Sequence, residues 1–220
     1  MDRATLGRMH NPVRGTLHGF AAVMSVVGMV NLIARTIHDQ PSMWSMVIFG
    51  VSLVALYTTS SLYHSFPWSS MWKSRMQRLD HSMIFVLIAG TYTPIGYNVL
   101  EGNWRSVTLS VMWGVAAVGI GQKLFFPSVG TWFSVTLQTT MGWFAVVPIV
   151  EISRRISLWA LAFLFIGGLS YTVGMVIFTT RWPQLSPRVF SYHEVFHVLV
   201  VVGSLSHYLV VWLWVVPLVA

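Results

Sequence analysis

The chain has 220 residues, of which 55% are hydrophobic and only 9% charged, against roughly 25% charged in a soluble domain; a water-soluble globule is excluded. The formal net charge is +7, but the basic residues fall between apolar runs, so lipid headgroups and membrane orientation account for them and nucleic acid does not. There is no cysteine, which removes disulfides and thiolate metal ligands from consideration.

A spanning helix needs about 20 apolar residues, and the chain divides into seven such runs with short connections. The expectation is one integral membrane domain over residues 1–220, an all-α, seven-transmembrane helix bundle. Residues 1–15 read as a polar tail. The first span covers about 17–34; it is long and lacks a small-residue cleavage site, so it reads as a span and not a signal peptide. The second covers about 43–63, with His64 at its end. Residues 68–79 read as a short amphipathic helix lying in the headgroup region, because Trp68, Met71, Trp72, Met76 and Leu79 fall near helical spacing with Lys73, Arg75 and Arg78 between them.

The third span covers about 81–100. Pro94 should kink it, with carbonyls near Gly90 answered by Thr or Ser hydroxyls. The fourth, about 106–122, is short and glycine-rich. The fifth covers about 128–150. The sixth covers about 156–180, where Gly167-Gly168 allows close helix packing. The seventh covers about 193–216.

Seven crossings place nine basic residues on one side (Arg3, Arg8, Arg14, Lys73, Arg75, Arg78, Lys123, Arg181, Arg188) and four on the other (Arg35, Arg105, Arg154, Arg155). The N-terminus is therefore expected in the cytoplasm and the C-terminus outside, in a multi-pass cell (inner) membrane protein. Four crossings separate His64 from His193, so both emerge on the same side, together with Asp80. That parity depends on the fourth segment crossing.

Tyr192-His193-Glu194-Val195-Phe196-His197 carries the sharpest chemistry. Histidines four apart share one helix face, and His64 supplies a third imidazole. Catalytic zinc commonly keeps three protein ligands and an open position; bound there, it lowers the pKa of water toward about 7. Asp80 is the nearest carboxylate by topology, as a direct ligand or as a base holding a water. Ser60, one turn before His64, is placed to hydrogen-bond that water or a substrate oxygen. Each residue has a plainer role open to it: Asp80 as a helix cap, Ser60 bonded to its own helix. The same five residues, His193 to His197, fit the H-E-x-x-H pattern of zinc proteases, with Glu194 as base. His207 lies about 15 Å further along the same helix, too far to share the ion. His18, His81 and His207 rank below the main site.

At Ser60 through His64, at Leu79-Asp80-His81 with Ile88 through Pro94, and at His193 through His197 with His207-Tyr208, the sequence resembles the hemolysin III family, the bacterial branch of the progestin and adipoQ receptor family. The resemblance implies seven helices with a cytoplasmic N-terminus and zinc held by His64, His193 and His197. It also implies Asp80 acting through water and Ser60 in the family's serine position. Adiponectin receptors, the eukaryotic relatives, resemble ceramidases in this site and carry Gln where this chain has Glu194, which weighs against the protease reading. The function implied is hydrolysis of a lipid amide or ester entering sideways from the bilayer, linked to membrane lipid homeostasis. A non-enzymatic sensor or receptor with structural zinc and a lytic, pore-forming protein are the alternatives. The lipid, serving as substrate or ligand, is the partner implied.

Overall fold

The computed structural model describes residues 11–186 and 189–219. Among them are eight α-helices: α1 (Pro12–Thr36), α2 (Gln40–Ser65), α3 (Ser70–Asn98), α4 (Gly102–Phe125), α5 (Thr131–Trp143), α6 (Ile149–Ser153), α7 (Leu158–Thr180) and α8 (Tyr192–Val210). No β-strand occurs among the described residues. Five helical segments are long and apolar enough to cross a membrane: α1, α2, α4, α7 and Tyr192–Leu218. Arg3, Arg8 and Arg188 of the charge count lie outside the described residues.

The packing is that of a chain whose solvent is lipid. On α1, Phe20, Val23, Val27 and Val30 face outward, while Arg14 and His18 are buried. On α2 the inward stripe is Ser45, Phe49, Ser52, Leu56, Ser60 and His64. Apolar surface costs nothing against hydrocarbon, whereas an exposed hydroxyl or imidazole would have no partner there. Backbone carbonyls of the same helix take up most of the hydroxyls; Ser52, for example, donates to the Phe49 carbonyl at 2.7 Å.

Several elements depart from expectation. The polar tail ends earlier: α1 begins at Pro12, so Arg14 and Gly15 belong to the helix, and Asn11 N–H donates to the His64 carbonyl at 3.0 Å. The expected in-plane helix is not a separate element. Residues 70–79 run without a break into α3, since Met, Lys, Arg, Gln and Leu are all good helix formers and no Gly or Pro interrupts them. Trp68 stays outside, its indole N–H donating to the Leu62 carbonyl at 3.1 Å.

In α3 the helix continues through Pro94, and threonine hydroxyls answer carbonyls near Gly90 as expected. Thr91 donates to Leu87 and Thr93 to Ala89, at 2.8 and 2.9 Å. The fifth segment is broken. After α5 comes a 3-10 turn at Phe144–Val146, then the short α6. Pro148 has no N–H with which to continue the ladder, and Val147 N–H turns back to Phe144 at 2.9 Å. Tyr92 of α3 staples the break: its hydroxyl donates to the Gly142 carbonyl at 3.1 Å and accepts from Ala145 N–H at 2.7 Å.

The fourth segment is longer than its apolar run suggested, 24 residues of continuous helix. Gly119 lets Phe85 of α3 press against it; a Cβ there would overlap the ring. Gly167 does the same for His207 of α8, whereas a Cβ on Gly168 would meet nothing within 4 Å. Only the first glycine of the expected pair is a packing notch.

Candidate metal centre

Three helix ends converge at one end of the bundle. His64 lies in the last turn of α2, and His193 and His197 lie in the first two turns of α8. The start of α8 is held in place by its own sequence. Ser191 N–H donates to Glu194 Oε2 at 2.8 Å, a capping arrangement. The other carboxylate oxygen of Glu194 accepts from Arg14 Nε of α1 at 2.7 Å, with both side chains buried. This one residue therefore fixes the entry of α8 and its position against α1.

The imidazole nitrogens of His64, His193 and His197 come within 4.8 Å of one another. Ring centroids are 5.2 Å apart for His64 and His193, 4.8 Å for His64 and His197, and 5.0 Å for His193 and His197. His64 and His197 are buried and His193 half-buried. His197 Nδ1 is buried with no hydrogen-bond partner, which is costly for a ring nitrogen lacking a further ligand. Three imidazoles, with no thiolate or carboxylate needed to complete the set, form a donor group that zinc accepts. The residues present fit that ion.

Asp80 of α3 and Ser60 of α2 reach the same site from two neighbouring helices. Both line a cavity of about 200 Å³ together with His193 and His197. From this polar end the cavity runs between α3, α5, α7 and α8, past Leu87, Val135, Met175 and Phe196, to Trp143 and His207. Its walls are largely apolar.

His18 comes closer to the centre than the sequence indicated. It is buried, and its ring lies on that of His197 with centroids 4.0 Å apart and planes 23° from parallel. Tyr57 meets it edge-on at 5.0 Å. The only signal in the sequence was that His18 falls on the same side as the other histidines. His81 lines the cavity without joining the cluster. His207 sits deep in the bundle, its Nε2 3.2 Å from the Leu164 carbonyl.

A membrane protein of packed helices, with a trio of histidines (two buried, one half-buried) at one end of a largely apolar cavity, is the class that fold and site define. The profile of the family described as Haemolysin-III related matches residues 7–208. Among characterised proteins, the chain is 33% identical to the Hemolysin-3 homolog of Bacillus subtilis (strain 168) over 190 residues, covering 85% of each chain. It is 32% identical to Hemolysin-3 of Bacillus cereus over 202 residues, 91% of this chain and 89% of that one. It is also 26% identical to the human Monocyte to macrophage differentiation factor over 203 residues, 89% of this chain and 80% of that one. The chain belongs to the hemolysin III family, the bacterial branch of the progestin and adipoQ receptor family, and is a multi-pass membrane protein.

Proposed function

We propose that the chain is a zinc-dependent hydrolase of lipid amides or esters, built as seven spans with a cytoplasmic N-terminus and its site at the cytoplasmic face. One observation carries this reading: three histidine side chains offer ligand atoms within 4.8 Å of one another, and two of them line a largely apolar cavity together with Asp80 and Ser60. His64, His193 and His197 hold the zinc, which supplies Lewis acidity and an activated water.

The remaining roles belong to the chain. Asp80, which lines the cavity with Ser60, is the group that takes the water's proton and returns it to the leaving amine or alcohol. Ser60 orients that carboxyl and offers its hydroxyl to the substrate. The apolar walls position the acyl chain and exclude bulk water. Glu194 is not the base. Its two oxygens cap α8 and pair with Arg14, which speaks against a protease of the H-E-x-x-H type.

The test is purified, zinc-loaded protein incubated with labelled ceramide and acyl glycerolipids, with release of the free acyl chain as readout. Intact substrates throughout would overturn the assignment. A second reading has its own support: the histidines join α2 to α8, so zinc with a purely structural role would clamp those two helices in a sensor or receptor. Among the described residues, Asp80 and Lys123 are the only acidic or lysine side chains lining the cavity, too few to line an ion-conducting pore, so lysis ranks behind both; dye release from liposomes tests it.

A further inference from the structure

We propose that the cavity's polar end receives an acyl lipid with a negatively charged, phosphate-type headgroup, and that Lys123 is the residue that meets the charge.

Lys123 stands in the last turn of α4, half-buried, and lines the same cavity as Asp80 and His81. Its backbone is planted on a hydrogen-bonded corner. Ser134 Oγ of α5 donates to Gln122 Oε1 at 2.7 Å, and Gln122 Nε2 donates to the Phe126 carbonyl at 3.1 Å. The cation therefore has a fixed base at the junction of α4 and α5.

Among the described residues, no acidic side chain forms an ion pair with this cation. The chain has six acidic residues. Asp2 lies outside the described residues. Glu194 pairs with Arg14, Glu151 with Arg154 and Glu101 with Arg155. Asp39 takes a hydrogen bond from Ser42 at the opposite end of α2. Asp80, the one carboxyl lining the cavity, forms no salt bridge with Lys123. Among the described residues Lys123 has no ion pair, although it has been drawn partly out of water.

A lysine in a last helical turn also answers the helix's carbonyl end, but any side chain reaching to water does that. This one lines the cavity beside His81, with Thr131 and Gln138 on the facing helix. A cation that shares a cavity with hydroxyl and amide donors matches the oxygens of a phosphate headgroup. Leu87, Val135 and Phe196 then receive the acyl chain beyond it. For the fate of the bound lipid, this inference rests on the hydrolase reading; for the binding itself it does not.

The experiment is equilibrium binding of fluorescent phosphatidylglycerol, phosphatidylcholine and ceramide to zinc-loaded, full-length protein, read by anisotropy. Wild type is compared with Lys123→Gln, Lys123→Arg and Lys123→Glu. Phosphatidylglycerol should bind about tenfold more tightly than phosphatidylcholine, the order of one charged hydrogen bond. Lys123→Gln should erase that preference, Lys123→Arg keep it and Lys123→Glu reverse it; the Arg variant separates loss of charge from loss of fold.

Equal affinities in the wild type, or a preference that survives Lys123→Gln, would overturn the inference. So would displacement of the lipid by millimolar inorganic phosphate alone, which would mark a site for the free anion. Lys123-dependent binding without hydrolysis of any lipid sinks the hydrolase and leaves this inference standing. Hydrolysis of ceramide with no anionic preference does the reverse.

Discussion

His18 of α1 lies on His197 of α8, the two rings 4.0 Å apart between centroids and 23° from parallel. A ring in that position restricts the rotation of a ligand imidazole without competing for the ion. Replacing it with Ala removes the support; replacing it with Phe keeps a flat surface of similar size. His18→Ala is expected to weaken zinc binding about tenfold, as loss of groups that orient metal ligands does, with His18→Phe close to wild type. Competition with a chelator of known affinity measures it.

Asp80 lines the cavity with His193 and His197 but is not part of the histidine group that could hold a metal ion. Asp80→Asn should therefore retain zinc at wild-type stoichiometry while lipid turnover falls by about a hundredfold or more, the scale of a lost general base. Elemental analysis and acyl-chain release on the same preparation decide it. Loss of the metal together with the activity would make Asp80 a ligand.

Glu194 faces the buried Arg14 guanidinium at 2.7 Å. Withdrawing the anion from a buried cation costs about 3–5 kcal/mol, so Glu194→Ala should lower the melting temperature sharply. Glu194→Gln keeps the cap to Ser191 and should retain turnover. Thermal unfolding and activity, measured side by side, separate this role from that of a protease base, whose Gln variant would be stable and inactive.

Gly167 touches the His207 ring closely enough that a Cβ would overlap it, while Gly114 has nothing within 4 Å. Gly167→Ala should destabilise by about 1–3 kcal/mol through overpacking. Gly114→Ala on exposed α4 surface should be neutral or gain up to about 1 kcal/mol from helix propensity. Chemical or thermal unfolding in detergent checks both.

Zinc bound only by the folded state stabilises it by about 2.7 kcal/mol at a hundred times its dissociation constant. The melting temperature should rise with free zinc and drop on chelation. His64→Ala, which removes one of three ligands, should abolish that dependence. A melting temperature indifferent to zinc in the wild type would remove the metal from this site.

The membrane class was legible in composition because lipid rewards apolar surface residue by residue, with no need of tertiary detail. The pairing of His193 with His197 was legible because helical period is local. The meeting of those two with His64 was expected from counting crossings, and the His64 and His193 rings lie 5.2 Å apart. Helix interruptions were less readable. The proline at 148 was visible, but the break in the fifth segment is completed by Tyr92 from another helix.

What the sequence determined by itself was an apolar helical chain with a histidine trio on one side, because hydropathy and helical spacing act along the chain. Only the tertiary structure decided that His18 lies on His197, that Arg14 pairs with Glu194, and that Lys123 lines the cavity. Those relations join residues up to 180 positions apart. They arise where separate helices pack, and no local pattern encodes which faces will meet.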